Sequence, residues 1–278
     1  MLRSVLKPLF RVAFAVALLV CSLSSSAPSQ DIATVDPPPP PAVSDLQAVS
    51  LLTAANVALK NSSGTPDLAL VANATSFAGS DTQSGAAAFK TRGNANARLE
   101  LPASGGRIVE VRADSDVPSG RASLAGQAAK NLPVHNCWPV SAWFAPVTAL
   151  AALATPANAV KYVGPESRNG VPVEHIRAFR NFVRRTGKET LFYRHLTTVD
   201  VYLDSTTHLP LAMAFVTHPE DDASTDIPVE VRFSDYRSVT GIQVPFRIQK
   251  LIQGTLNLDL IIQTATINAG VSDSDFTL

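Results

Sequence analysis

The chain has 278 residues, 23 acidic and 23 basic side chains, and a hydrophobic fraction of 46%. A formal net charge of zero excludes the basic surface that nucleic-acid binding requires, and gives no drive toward anionic lipid headgroups. Aromatic residues make up only 6% of the chain, too few for a surface that stacks bases or sugars.

The N-terminus reads as an export signal. Arg3, Lys7 and Arg11 form a positive segment, and residues 12–23 form an apolar core of roughly a dozen residues, short of a bilayer span. Ser24, Ser25, Ser26 and Ala27 supply small residues for cleavage. The expectation is a signal peptide over residues 1–27, a periplasmic or secreted cell-envelope protein, and no stable transmembrane span after cleavage. An uncleaved anchor is the alternative, and the short apolar core speaks against it. Leu18-Leu19-Val20-Cys21 resembles a lipoprotein box, but Val20 stands where such a box takes a small residue, which weighs against lipid anchoring through Cys21. Once Cys21 leaves with the signal, Cys137 has no partner for an internal disulfide. Residues 28–43 form a Pro-rich linker. Its run from Pro37 to Pro41 favours a stiff polyproline spacer.

Residues 44–278 form the folded domain. Ser44 and Gln47 have capping-box spacing, and Leu46, Val49, Leu52 and Leu59 recur at helical spacing with Ala55 among them. This predicts a helix ending near Lys60, before Asn61-Ser62-Ser63-Gly64, with an apolar stripe suited to a sheet face. Strand-like segments follow over residues 67–75, 94–101 and 108–112, the last two joined by a turn at Ser104-Gly105-Gly106. Asn61-Ser62-Ser63 and Asn73-Ala74-Thr75 match glycosylation sequons, triplets short enough to arise by chance.

Residues 133–146 are irregular and carry Trp138 and Trp143. A second helix is expected from Pro146, with Val147, Leu150, Ala151 and Leu153 on its apolar side. Segments 160–167 and 171–179 flank Arg168-Asn169-Gly170, whose Asn-Gly pair permits the positive backbone angles of a tight hairpin. Residues 180–195 read as a loop or short helix. From Thr198 onward the pattern is β. Val199, Val201 and Leu203 alternate with polar neighbours, and Leu211, Met213 and Phe215 form the next row. The acidic stretch Glu220-Asp221-Asp222 reads as a solvated loop.

Three further segments alternate almost without error. They are Ile227, Val229, Val231 and Phe233; Ile242, Val244, Phe246 and Ile248; and Leu256, Leu258, Leu260 and Ile262, where Ile261 is the lapse. Side chains alternate across a strand, so each segment has one apolar face. Their sum is a curved antiparallel sheet with an apolar side that something must cover. Val201, Met213, Phe215, Val229, Val231, Phe233, Val244, Phe246, Ile248 and Leu258 are the candidates for lining an apolar cavity.

The segment Asp204-Ser205-Thr206-Thr207-His208-Leu209-Pro210 resembles the D-x-x-T-x-L-P strand-turn-strand signature of the LolA-like lipoprotein-carrier superfamily. Phe233-Ser234-Asp235-Tyr236-Arg237, Gly241 and Val244-Pro245 resemble its F-x-D-Y-R-x-V-x-G-I-x-V-P stretch. Asn268, Asp273 and Phe276 resemble its closing N-x-x-x-x-D-x-x-F. The three occur in that order within roughly the last quarter of the chain. The resemblance implies an α+β domain: a curved antiparallel β half-barrel of about ten strands, with helices covering the concave face and acyl chains bound beneath them. Members of the superfamily carry lipoproteins or lipids, while the helical stretch from Trp138 to Ala157 has no counterpart in the dedicated carriers. Asp235, Tyr236, Arg237, Gly241 and Pro245 read as structural, with Tyr236 packing its ring and bonding through its hydroxyl.

No catalytic motif is present. The histidines His135, His175, His195, His208 and His218 include no i, i+4 pair and no H-E-x-x-H, and there is neither a G-x-S-x-G elbow nor a phosphate-binding glycine loop. Glu174 and His175 adjoin in a strand and so face opposite ways. Only a site assembled by the fold from distant residues stays open. Cys137, beside His135-Asn136, reads first as a buried small hydrophobe. The expected function is non-enzymatic binding of an apolar or amphiphilic ligand, a lipid or lipoprotein acyl chain, by a monomer with no cofactor, metal or nucleic acid. The alternatives are an envelope interaction protein with a sealed core and, less favoured, a thiol-dependent enzyme using Cys137.

Overall fold

The computed structural model describes residues 40–60, 67–93, 96–113, 117–125, 127–138, 144–182 and 186–278. The expected signal peptide with Cys21, most of the Pro-rich stretch, the Asn61 sequon and Trp143 lie outside the described residues.

Helix α1 (Leu46–Ala58) precedes β1 (Leu68–Ala78), β2 (Asp81–Arg92), β3 (Asn96–Ala103), β4 (Gly106–Ala113), β5 (Ser119–Leu124) and the two-residue β6 (Lys130–Asn131). Helix α2 (Pro146–Leu153) leads into β7 (Asn158–Arg168) and β8 (Val171–Arg180), and α3 (Gly187–Thr197) into β9 (Val199–Asp204). The chain ends with β10 (Pro210–Thr217), β11 (Ile227–Val239), β12 (Ile242–Ile252) and β13 (Thr255–Ile267). All ladders are antiparallel and belong to one open sheet of 13 strands, ordered β6-β5-β4-β3-β2-β1-β13-β12-β11-β10-β9-β8-β7. The α+β half-barrel is as expected, with three strands more than the sequence reading located: β2, β5 and β6.

Turn chemistry sets the registers. Asn169 and Gly170 both take positive φ (50° and 81°), closing β7 onto β8 as the Asn-Gly pair foretells. Between β9 and β10, Asp204 accepts hydrogen bonds from the Thr206 and Thr207 amides (2.9 and 2.7 Å) and from the Thr207 hydroxyl (3.0 Å). The D-x-x-T signature is thus a turn brace, and these bonds hold the Asp204 carboxyl below its ordinary range despite partial burial.

The closing signature is a clamp. After β13, residues Asp273–Phe276 form a 3-10 turn lying against the outer face of β2 and β3. Lys90 pairs with Asp275 at 2.6 Å, Arg92 pairs with Asp273 and stacks over the Phe276 ring, and Arg98 donates to the carbonyls of Asp275 and Thr277.

The helices correct two expectations. Asp45, not Ser44, caps α1, accepting from the Gln47 amide at 2.9 Å. Ser44 instead accepts from the Val160 amide, so it anchors the helix to β7 rather than capping it. The buried stripe of α1 is Ala48, Leu52, Ala55 and Leu59, while Leu46 and Val49 are exposed. Helix α2 begins at Pro146 as expected, but it is buried on all sides except Ala151, so it lies inside the domain rather than along its surface.

Candidate ligand-binding hollow

Antiparallel pairing converts the alternating rows into one surface. Val201 faces Met213, Met213 faces Val231, Val231 faces Lys250, and Lys250 faces Leu258, giving one continuous rung over β9 to β13. Phe215 faces Val229 in the neighbouring rung, and Phe233 faces Ile248 on the other side. Val244 and Phe246 continue the inner row of β12 toward its turn. All ten candidate residues are buried, 8% exposed at most, and belong to a single cluster with Leu52 of α1 and Leu150 of α2. The structure brings them together on the concave face of the sheet.

Helix α1 lies across this face between two strands far apart in the sheet. The Asp45 amide donates to the Val160 carbonyl of β7, and at the other end the Gln243 amide of β12 donates to the Leu59 carbonyl. Between α1, α2 and β7 a crevice of about 170 Å³ is lined by Val49, Leu52, Leu153 and Val160, with Ser44, Thr155 and Asn158 among its polar residues. Leu52, Leu153 and Val160 are core members, so the crevice ends on the same cluster that holds the ten candidates.

Lys250 is the residue the sequence reading missed. It has the same parity as Val244, Phe246 and Ile248, and its pairing with Val231 and Leu258 puts it in their row. Burial pulls its ammonium down from 10.5 to about 8, opposed by the negative charge of Glu110 and aided by the positive charge of Arg112. Glu110 accepts from the Arg112 guanidinium at 2.6 Å, and Arg112 also donates to the Asn136 carbonyl. One end of the hollow is therefore polar. At the β7–β8 side a second polar pair faces inward, the Tyr162 hydroxyl donating to Glu174 at 2.6 Å.

His175 points the other way from Glu174, as the strand alternation requires. Its Nε2 lies 2.9 Å from Asp200, which also accepts from Nε and Nη2 of Arg177. Despite partial burial, these bonds hold the Asp200 carboxyl below its usual range. The outer face also carries a larger cleft of about 450 Å³, lined by Arg177, Asp200, Ala214, Glu230 and Arg232, and reached by Phe215 and Val229 of the ten candidates. Its charges are already matched, Arg177 with Asp200 and Arg232 with Glu230, so it suits an acyl chain less well than the crevice beside α1.

Cys137 has the surroundings of a small core residue. It is fully buried, packs against Leu132 and lies under Gly120, donates to the Pro133 carbonyl at 3.4 Å, and has its thiol pKa pushed up by burial. A thiolate nucleophile needs the opposite environment.

No family model and no curated protein sequence matches the chain. Solved structures do. A LolA superfamily protein from Nitrosomonas europaea superposes with a TM-score of 0.50 at 13% identity, over 83% of this chain and 97% of that one. A domain named for outer membrane lipoprotein sorting, from Vibrio parahaemolyticus, gives 0.51 at 12% identity over 81% and 95%. A DUF1329 family protein from Desulfovibrio piger gives 0.50 at 11% identity over 83% and 97%. Identities this low speak to architecture and leave function to the site itself. With its open antiparallel sheet, helix-covered concave face and C-terminal clamp, the chain has the LolA-like fold.

Proposed function

We infer that this protein is an exported, non-catalytic monomer of the periplasm or extracellular space that binds an apolar or amphiphilic ligand, a lipid or lipoprotein acyl chain, on the concave face of its sheet. The observation that supports this reading is the α1–α2 crevice, whose lining residues Leu52, Leu153 and Val160 belong to the same apolar cluster as the ten candidate side chains. Burial of methylenes against such a wall contributes roughly 0.8 kcal/mol each, so an acyl tail binds without many polar contacts. The crevice is small beside the roughly 300–1,000 Å³ of sites for drug-sized ligands, so a long chain enters only as α1 lifts from α2. Residues 1–27 as signal peptide and 28–43 as spacer complete the picture of an envelope protein whose binding domain starts at Ser44.

A second reading is favoured by α2 itself. Leu150 of α2 and Ile248 of β12 are both fully buried in the one cluster, as a permanently sealed scaffold requires. Native mass spectrometry of protein purified from its own envelope separates the two. Co-purifying lipid, and uptake of a fluorescent fatty acid by the delipidated protein, are the expected results. A clean apo mass with no uptake overturns the binding reading and leaves the sealed scaffold.

A further inference from the structure

Three side chains distant in sequence meet at the end of the sheet where α3 packs. His195 stands in the last turn of α3, His218 directly follows β10, and Asp226 directly precedes β11. One ligand atom from each lies within 4.8 Å of the other two. His195 Nε2 is 2.8 Å from Asp226 Oδ1, and His218 Nε2 is 3.2 Å from the same oxygen.

His218 is the telling member. Its side chain is completely buried, yet among the described residues neither ring nitrogen has a hydrogen-bond partner, the Asp226 oxygen lying close but outside hydrogen-bond geometry. Burying an imidazole with both nitrogens unsatisfied is costly, and native structures rarely retain such a group without a reason. The ring is also held in place. Asn136 grips the His218 backbone from both sides, accepting from its amide at 2.8 Å and donating to its carbonyl at 2.7 Å. His135 packs edge-on against the ring at 5.7 Å and is itself fixed through its Nε2 to the Pro219 carbonyl. The loop joining His218 to Asp226 is braced by Asp222, which accepts from Ser224 and Thr225.

The geometry points to a binding site for a divalent transition-metal cation, of which zinc is the representative, held by His195, His218 and Asp226. Two imidazoles and one carboxylate are a donor set that such ions accept, at about 2.0–2.2 Å per ligand. In a tetrahedral site those bond lengths put ligand atoms about 3.3 Å apart, so the observed separations require only small movements of His195 and Asp226. Both of these are about two-fifths exposed, 44% and 43%, which gives the ion a path from solvent and leaves a coordination position for water. His218 anchors the ion from the buried side. The site ties α3 to the β10–β11 loop, and His195 also lines the outer cleft, so the ion and its water face that cleft.

The test is zinc titration of untagged, chelator-treated protein by calorimetry, with cobalt(II) absorption as a report on coordination. One equivalent should bind, with a cobalt spectrum of a low-coordinate nitrogen and oxygen site, and zinc should raise the melting temperature. His195→Ala and Asp226→Asn alter exposed side chains and should fold, each weakening zinc binding at least tenfold, while His208→Ala should bind as the wild type does. His218→Ala is informative only if its circular dichroism matches the wild type, in which case binding should disappear. Absence of zinc binding by the wild type at micromolar concentration overturns the proposal, as does binding that both His195→Ala and Asp226→Asn leave unchanged.

Discussion

The Tyr236 hydroxyl donates to the Pro210 carbonyl at 2.7 Å. These residues belong to two separate signature segments, so the bond joins the first strand-turn-strand motif to the second. Tyr236 sits beside Asp235, whose positive φ of 54° marks an irregularity in β11 that interrupts the regular pairing with β12. Pro210 opens β10, beside the turn braced by Asp204. Burial raises the Tyr236 phenol well above its normal pKa, which keeps it a donor across the physiological range.

Tyr236→Phe removes the donor and leaves the buried Pro210 carbonyl without this partner. A loss of about 1–3 kcal/mol is expected, measured as a lower urea midpoint at unchanged slope. A loss near zero would mean that water takes the place of the hydroxyl.

Val244→Trp distinguishes a yielding hollow from a sealed one. Val244 is 1% exposed and lies in the inner row of β12. If α1 lifts to admit a ligand, the indole occupies that space, fatty-acid uptake falls and thermal stability stays near wild type. If the interior is permanently packed, overfilling costs about 1–3 kcal/mol and the melting temperature drops.

Lys250 gives the stability profile a defined alkaline feature. Between the folded value of about 8 and the unfolded value of 10.5, the unfolded chain keeps a proton that the folded chain has released. Stability from this group therefore rises as pH climbs through that window, and its penalty is fully present below about 8. Lys250→Met should raise the unfolding free energy at neutral pH, read from urea curves, by at most roughly 3 kcal/mol, and the advantage should shrink toward the top of the window. A gain that is the same at both ends would assign the effect to packing rather than charge.

The C-terminal clamp predicts an acid-sensitive contribution. The Lys90 partner, helped by the Ser272 backbone amide, lowers the Asp275 carboxyl from 3.8 to about 2. A depressed carboxylate stabilises the fold above its unfolded value and loses that contribution as pH falls through the folded one. Asp275→Asn should destabilise modestly at neutral pH, and its urea curve should converge on that of the wild type as pH falls from about 4 to about 2. A pH-independent difference would show that the ion pair is not its source.

The parts legible in the sequence were those with strict periodicity. Val229-x-Val231-x-Phe233 and its neighbours specify strands because an extended backbone puts all three on the same side, whereas a helix would scatter them. Asn169-Gly170 was equally readable because few residue pairs tolerate two positive φ values. Strand β2 escaped because Ala86, Ala87 and Ala88 give no alternation, although Ala87 and Phe89 point inward. The two residues of β6 are too few to show a period. The burial face of α1 was misplaced because apolar residues surround the helix and Ala48 and Ala55 outcompete the bulkier Leu46 and Val49 for the tight contact. Lys250 could have been found by extending the β12 row one step. The meeting of His195, His218 and Asp226 could not, since it depends on α3 packing at the end of β10.

The strand order has one more implication. Because β1 and β13 are neighbours in the middle of the sheet, its two free rims, β6 and β7, are joined by the single connection 132–157, which also carries α2. That connection is held by packing rather than by its length: Val147, Leu150 and Leu153 of its helix are buried in the same core cluster as the inner rows of the sheet. A single proteolytic nick within it would cut no strand, so every ladder and the α1 hydrogen bonds to Val160 and Gln243 would still hold the sheet in its shape.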